Sequence, residues 1–167
     1  QGDLKVHGGP EKAVYGYPSE HWALWTDELR PAQPYGPGSF GENLSLAGIL
    51  EGDACIGDIW RWGEVRLQIC QPRYPCYKLA EVLQRRSVVK EMVENGRTGW
   101  YFRVLTPGEA PVDSEIELES RDPAGVTVEM VHAARLPGAD RSLVEQAAAV
   151  DALSRVLKRE LAETLAT

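Results

Sequence analysis

The most constraining stretch of this sequence lies between Asp58 and Ile69, where apolar and polar residues alternate on either side of a Gly-Glu pair. Ile59-Trp60-Arg61-Trp62 reads as one strand and Gly63-Glu64 as a tight turn. Val65, Leu67 and Ile69, alternating with Arg66 and Gln68, read as the returning strand. The expected product is a β-hairpin with one buried face. Its second strand runs into Gln71-Pro72-Arg73-Tyr74-Pro75-Cys76, where two prolines forbid regular ladder pairing and stiffen the backbone. A rigid loop thus presents Cys76. Strand-like runs recur at 100–105, 116–119 and 126–128, and several short strands at this spacing favour a barrel or a sandwich.

Helical signals accompany these strands. Ser19 is placed to cap a segment through Glu20, His21, Trp22, Leu24 and Trp25 that Pro31 terminates. Ser87 is placed to cap another, with Val88, Val89, Met92 and Val93 on one side and Asn95-Gly96 as its stop. From Ser142 the pattern changes in kind. Ser142-x-x-Glu145 forms a capping box, and Leu143, Ala147, Val150, Leu153, Leu157 and Leu161 recur at steps of three and four. Pro137-Gly138 marks a joint before this unit, so the expected organisation is a β-rich body followed by amphipathic helices.

Charge and cysteine usage narrow the partners. The 167 residues carry 18 Lys plus Arg against 25 Asp plus Glu, a net charge of −7 that suits neither nucleic acid nor an anionic membrane. The longest apolar runs, such as 147–150, fall far short of the roughly 20 residues a spanning helix needs. Three cysteines without C-x-x-C spacing signal neither a disulfide framework nor a zinc knuckle, which fits a reducing, cytoplasmic compartment. The chain opens on Gln1, followed by Gly, His and Pro rather than an apolar leader, so a natural start upstream of Gln1 is expected.

Cys76 is the sharpest chemical candidate. Arg73 lies three residues away in the same loop, and a nearby cation favours the thiolate that a nucleophile or soft-metal ligand requires; the alternative is a structural thiol. Cys70 and Cys55 read as small hydrophobes. His7-Gly8-Gly9-Pro10, followed by Lys12, offers an imidazole, close backbone approach and a cation for an anion, or simply a glycine turn. The stretch 36–43 resembles an anion nest in composition but matches neither a Walker A nor a Rossmann fingerprint. His21 reads as a packing residue, His132 has no partner visible in the sequence, and the Glu/Arg alternation at 115–121 reads as a solvated strand face.

Five ordered stretches together resemble the MOSC domain proteins, specifically the bacterial YiiM-like branch. They are His7-Gly8-Gly9-Pro10-Glu11-Lys12-Ala13-Val14, Gly38-Ser39-Phe40-Gly41-Glu42-Asn43-Leu44, Gly57-Asp58 with Trp60-Arg61-Trp62-Gly63, Gln71-Pro72-Arg73-Tyr74-Pro75-Cys76-Tyr77-Lys78-Leu79, and Gly96-Arg97-Thr98-Gly99-Trp100-Tyr101-Phe102-Arg103-Val104. The resemblance covers nearly the whole chain. It implies a mainly β fold with α: a MOSC-type β-barrel over residues 1–120, then a linker strand and a small C-terminal three-helix domain over 121–167. Two departures stand out: the family's leading segment, expected to carry further site residues, is absent, and Asp113-Ser114 stands where Gly-Asp is expected.

The resemblance also implies a molybdenum cofactor bound through its pterin and phosphate. Cys76 takes the place of the molybdenum ligand, with Lys12, Gly8, Gly9, Ser39, Gly41, Glu42, Asn43, Arg73, Tyr101 and Arg103 as cofactor-binding residues. The implied activity is reduction of N-hydroxylated compounds, hydroxylaminopurines and simpler hydroxylamines, to amines, with detoxification of N-hydroxylaminopurines as its use. His7 is the expected proton source, since a free imidazole titrates at about pH 6.5. A flavoprotein or an iron–sulfur protein is the expected electron donor, docking on the helical tail. Because MOSC domains also occur fused to cofactor sulfurases, the alternative is a molybdenum-cofactor or sulfur carrier without turnover. A pyridoxal phosphate Schiff base on Lys12 is disfavoured, because no Asp or Arg partner for the pyridinium can be named.

Overall fold

The computed structural model describes residues 8–166. A 3-10 turn (Pro10–Lys12) leads into β1 (Val14–Pro18), α1 (Glu20–Leu29) and β2 (Leu44–Leu46). Then come β3 (Ile59–Trp62), β4 (Val65–Pro72), α2 (Tyr77–Val82), α3 (Val88–Asn95), β5 (Trp100–Thr106) and β6 (Glu117–Ser120). Three helices follow, α4 (Val128–Ala134), α5 (Arg141–Ala149) and α6 (Arg155–Leu165). The strands form one six-stranded sheet in the order β2-β1-β5-β4-β3-β6, curled as a half-barrel. It is mixed, because β1 and β2 run parallel while the other neighbours are antiparallel. No helix among the described residues is long and apolar enough to cross a membrane.

The hairpin of β3 and β4 forms with Trp62 opposite Val65 across a turn in which Gly63 takes φ 57°. Leu67 and Ile69 are buried, whereas Arg61 and Arg66 reach across the solvent face to Glu117 and Glu119 of the exposed β6. Strand alternation divides the interior in two. Tyr15 and Tyr17 of β1 join Trp25, Phe40, Leu79, Val88 and Met92, the cluster under α1, α2 and α3. Trp100, Phe102, Leu67 and Ile69 belong to the other cluster, which is continuous with Val131, Val144, Leu157 and Leu161 of the C-terminal helices.

Several local expectations are corrected. Residues 126–128 form no strand: Thr127 makes a single bridge to Cys55, and its hydroxyl accepts the Met130 N–H at 3.1 Å, capping α4. Val126 and Val128 are buried by helix docking rather than by a ladder. Ser19 and Ser87 precede their helices but cap nothing with their side chains, since both already have helical φ/ψ. Arg30, at φ 49°, ends α1 before Pro31 is reached. The cap of α5 is Asp140, which accepts from the N–H groups of Ser142 and Leu143 at 2.8 and 3.3 Å, so Ser142 sits inside the helix. The tail's periodicity also runs through a turn, and Ser154 caps a separate α6.

Candidate active site

The loop bearing Cys76 owes its course to a fault in the sheet. Between Ile69 and Gln71 the register of β4 against β5 shifts, leaving Cys70 as the extra residue. The freed Cys70 carbonyl accepts the Ser154 N–H at 2.9 Å, while its thiol points to the carbonyls of Glu11 and Tyr101 at 3.1 and 3.4 Å. Pro72 is the last paired residue, opposite Trp100, because a strand may end on a proline but cannot continue through two. Beyond it, the Arg73 N–H donates to the Gly99 carbonyl at 3.1 Å and ties the loop to the start of β5.

Arg73 turns inward. Its guanidinium lies 4.7 Å from the centre of the Tyr15 ring, and Nη1 is 3.7 Å from Met92 Sδ. Burial opposes its charge, but Tyr15, Tyr101 and Cys76 outweigh that and hold its pKa above the ordinary value. Tyr15 and Tyr17 shift upward too, chiefly through burial, so both stay neutral phenols. Cys76 is half-buried and stands in extended conformation at the head of α2.

Cys76 opens into a cavity of about 310 Å³. Lys12, Gln71, Pro72, Pro75 and Tyr101 line it from the sheet and loop side. Tyr74 and the C-terminal residues Arg135, Val156, Leu157 and Glu160 complete it. The structure therefore brings Lys12, Tyr101 and Cys76 to one cavity and places Arg73 in the loop that carries the thiol. Gln71, Tyr74, Arg135 and Glu160 were not anticipated. Gln71 and Tyr74 lie within a stretch already singled out, whereas nothing in the local pattern marks the other two.

The remaining candidates sit elsewhere. Gly8 and Gly9 take φ 99° and 89°, and the Gly9 carbonyl closes the turn by accepting the Lys12 N–H at 3.0 Å. The expected anion nest already holds the chain's own carboxylate: Gly38 and Phe40 donate to Glu42 at 2.9 and 3.0 Å. Ser39 Oγ accepts the Gly36 N–H, the Gly41 N–H bonds the Gly38 carbonyl, and Asn43 Oδ1 accepts the Tyr15 N–H. Asn43 lines a different cavity, of about 400 Å³. Arg103 is committed to Glu11 at 3.2 Å and to the Ala152 carbonyl at 2.9 Å. His7 lies outside the described residues. His21 is buried with Nε2 2.8 Å from Glu51, and the partner of His132 is the Val93 carbonyl at 2.8 Å.

The three thiols differ in access, which gives a first expected result. Maleimide at pH 7 to 8 modifies Cys76 alone in the folded protein, followed by mass spectrometry, whereas urea exposes all three. Cys55 is buried against Arg121, and burial pushes the Cys70 thiol up to about 12 from its ordinary 9. A folded-state pKa raised in this way favours the native protein fully below the unfolded value, and the benefit is lost as pH rises through the folded one. Modification of Cys70 before Cys76 would refute this ordering.

Among the described residues no group of three or more His, Cys, Asp or Glu could hold a metal ion. A metal centre at Cys76 must accept one protein thiolate and bring its other ligands with it. A dithiolene-bound cofactor meets that condition, and a soft sulfur donor at the wall of a cavity that Lys12 also lines fits it.

The MOSC domain family model matches residues 3–117. Protein YiiM of Escherichia coli is 42% identical over 122 residues, 72% of this chain and 54% of that protein. A protein named reductase from Gibberella moniliformis is 37% identical over 118 residues, 69% of this chain and 21% of that protein. The chain thus spans about half the length, or less, of these two curated relatives. The crystal structure of YiiM from Geobacillus stearothermophilus superposes with a TM-score of 0.86 at 32% identity, covering 95% of this chain and 80% of that one. The sequence match, the curled sheet and the thiol loop agree, and the chain belongs to the MOSC domain family, in its YiiM-like branch.

Proposed function

We propose that the protein is a molybdenum-cofactor-dependent reductase of N-hydroxylated compounds. The observation that carries this reading is the half-buried Cys76 thiol at the wall of a cavity that Lys12, Gln71 and Tyr101 also line. MOSC domains are associated with molybdenum cofactor, and one relative bears the name reductase. When bound, the cofactor supplies two-electron reduction of an N–O bond. The overall change balances as R–NHOH plus two electrons and two protons giving R–NH2 and water, the electrons coming from a flavoprotein or iron–sulfur donor.

The chain's own residues do the rest. Cys76 supplies the thiolate ligand, and the Pro72 and Pro75 backbone fixes its direction. Arg73 anchors the loop from behind, its N–H donating to the Gly99 carbonyl at 3.1 Å. Lys12 would be the residue of this wall to contact an anionic group of the cofactor. Gln71 and Tyr101 add polar groups to the same wall.

The test is metal content by mass spectrometry, with pterin fluorescence, on protein made in a host that synthesises the cofactor. Stoichiometric molybdenum and pterin, together with anaerobic reduction of a hydroxylamine by dithionite-driven dye, are expected. Cofactor that binds and transfers onward without amine formation would instead establish the carrier role. Absence of both metal and pterin would refute the reading.

A further inference from the structure

Glu51, in the turns between β2 and β3, is a carboxylate only 6% exposed that lines no part of the Cys76 cavity. Both of its side-chain oxygens are spent on other elements. Oε2 lies 2.8 Å from His21 Nε2 on α1, and Oε1 accepts the Gly99 N–H at 2.8 Å at the threshold of β5. His21 Nδ1 is buried without a hydrogen-bond partner among the described residues, which makes Nε2 the nitrogen that donates to Glu51. The Glu51 backbone carbonyl in turn accepts the Glu129 N–H at 3.0 Å, in the first turn of α4, the helix that ends beside Arg135 of the cavity wall.

Gly99 needs such a hold from outside. It stands at φ +62° immediately before Trp100, the first paired residue of β5. No side chain at this position could pack it in place, because a Cβ would meet the Gly16 carbonyl oxygen at 2.4 Å. Its own carbonyl accepts the Arg73 N–H at 3.1 Å and the Thr98 hydroxyl at 3.0 Å. From Arg73 the chain reaches Cys76 in three residues, one of them Pro75. A relay thus runs from α1 through Glu51 and Gly99 to the thiol loop. Burying a carboxylate is costly, and an apolar side chain of similar length would fill the same space. What the carboxylate adds is an acceptor for a backbone N–H that the ladder does not serve.

We infer that Glu51 is a positioning residue for the Cys76 loop: held by His21, it fixes Gly99, and the Gly99 carbonyl fixes Arg73 and with it the direction of the thiol. The consequence for turnover rests on the reductase reading, whereas the consequence for the loop does not.

The test is amide hydrogen exchange by NMR on the metal-free full chain. Glu51→Met keeps the volume and loses the acceptors, while Glu51→Gln keeps a carbonyl oxygen for Gly99. The readout is exchange at Gly99 and Arg73 relative to Phe102, which is buried further along β5 and paired with Val14 and Ile69. A general loss of stability moves all three together, so the ratio isolates the relay. In Glu51→Met the ratio rises about 10-fold or more, as loss of the partner of a buried N–H predicts, and iodoacetamide modifies Cys76 about three-fold faster. Glu51→Gln returns both to within about two-fold of native. His21→Phe, which removes the donor holding Glu51 and keeps a ring in its place, raises the ratio about three-fold. In loaded enzyme Glu51→Met lowers kcat about 10-fold and leaves KM within about two-fold, because Glu51 is remote from the cavity wall. The inference is overturned if the ratio stays within two-fold of native in Glu51→Met or, should that variant not fold, in His21→Phe. It is equally overturned if Glu51→Gln behaves as Glu51→Met does, or if exchange changes while loaded enzyme keeps its kcat and its metal. The expected exchange pattern in a chain that never takes up molybdenum would sustain the positioning role and refute the reductase.

Discussion

Exchanging Cys76 for serine is expected to bring molybdenum content close to background and to lower reduction of N-hydroxylated substrate by roughly 100-fold or more. Outer-sphere partners of a metal are already worth about 10–100-fold, and Cys76 is the direct donor in the proposed site. The substitution changes one atom. It replaces a soft, readily ionised donor with a hard hydroxyl that stays protonated at neutral pH, so the loss belongs to ligation and not to shape. Cys76 is half-buried and outside both buried clusters, so the melting temperature should move by no more than about 2 °C, as for other substitutions away from the core. Elemental analysis, anaerobic turnover and calorimetry on paired preparations read the three quantities. Full metal content in the serine variant would remove Cys76 from the site.

Gly99→Ala is expected to lower the melting temperature by roughly 10 °C and to reduce cofactor loading as well. Gly99 holds φ +62°, and an added Cβ would stand 2.4 Å from the Gly16 carbonyl oxygen, 2.9 Å from Tyr17 and 3.0 Å from Tyr15. The first of these is the backbone of a neighbouring strand and cannot swing aside. Backbone strain of about 1–3 kcal/mol adds to an overpacking cost of about 1–3 kcal/mol. At about 2–4 °C per kcal/mol for a chain of this size, the sum gives the stated shift. Loading suffers because Gly99 is a junction. Its carbonyl holds Arg73 at the root of the thiol loop, and its N–H donates to Glu51 Oε1 at 2.8 Å, while the other Glu51 oxygen pairs with His21. Differential scanning calorimetry and metal analysis test this, and a melting temperature within about 3 °C of native would refute it.

How much of this was legible in the sequence depends on the range of the forces involved. The hairpin of β3 and β4 was legible because period-two burial and a Gly turn are written within a dozen residues. Helix starts were less so: Asp140 outcompetes the more obvious Ser142, and Thr127 caps α4 where a strand was expected, because cap geometry is settled by backbone dihedrals. The break between α5 and α6 was hidden because Val150 and Leu153, buried in the connecting turn, keep the spacing of a helical stripe. In the site, Cys76 with Arg73 could be read from one short loop and Lys12 from the glycine turn before it, and Tyr101 followed from resemblance. Arg135 and Glu160 could not, since only tertiary packing brings the tail to the thiol. The glycine loop misled in the other direction, its composition suggesting an open nest that Glu42 in fact fills.

The slipped register at Cys70 also bears on how such a chain can be recombined. The Cys70 carbonyl receives the Ser154 N–H, and the Glu11 carboxylate receives the Arg155 N–H at 3.2 Å, so the first turn of α6 is stitched both to the strand that launches the thiol loop and to the turn before β1. A chimera spliced at Pro137-Gly138 would inherit an orphaned carbonyl and a carboxylate without its mate. The natural breakpoint for exchanging the tail is therefore not that joint, and a donor tail must arrive together with its own β4 bulge and its own Glu11 equivalent.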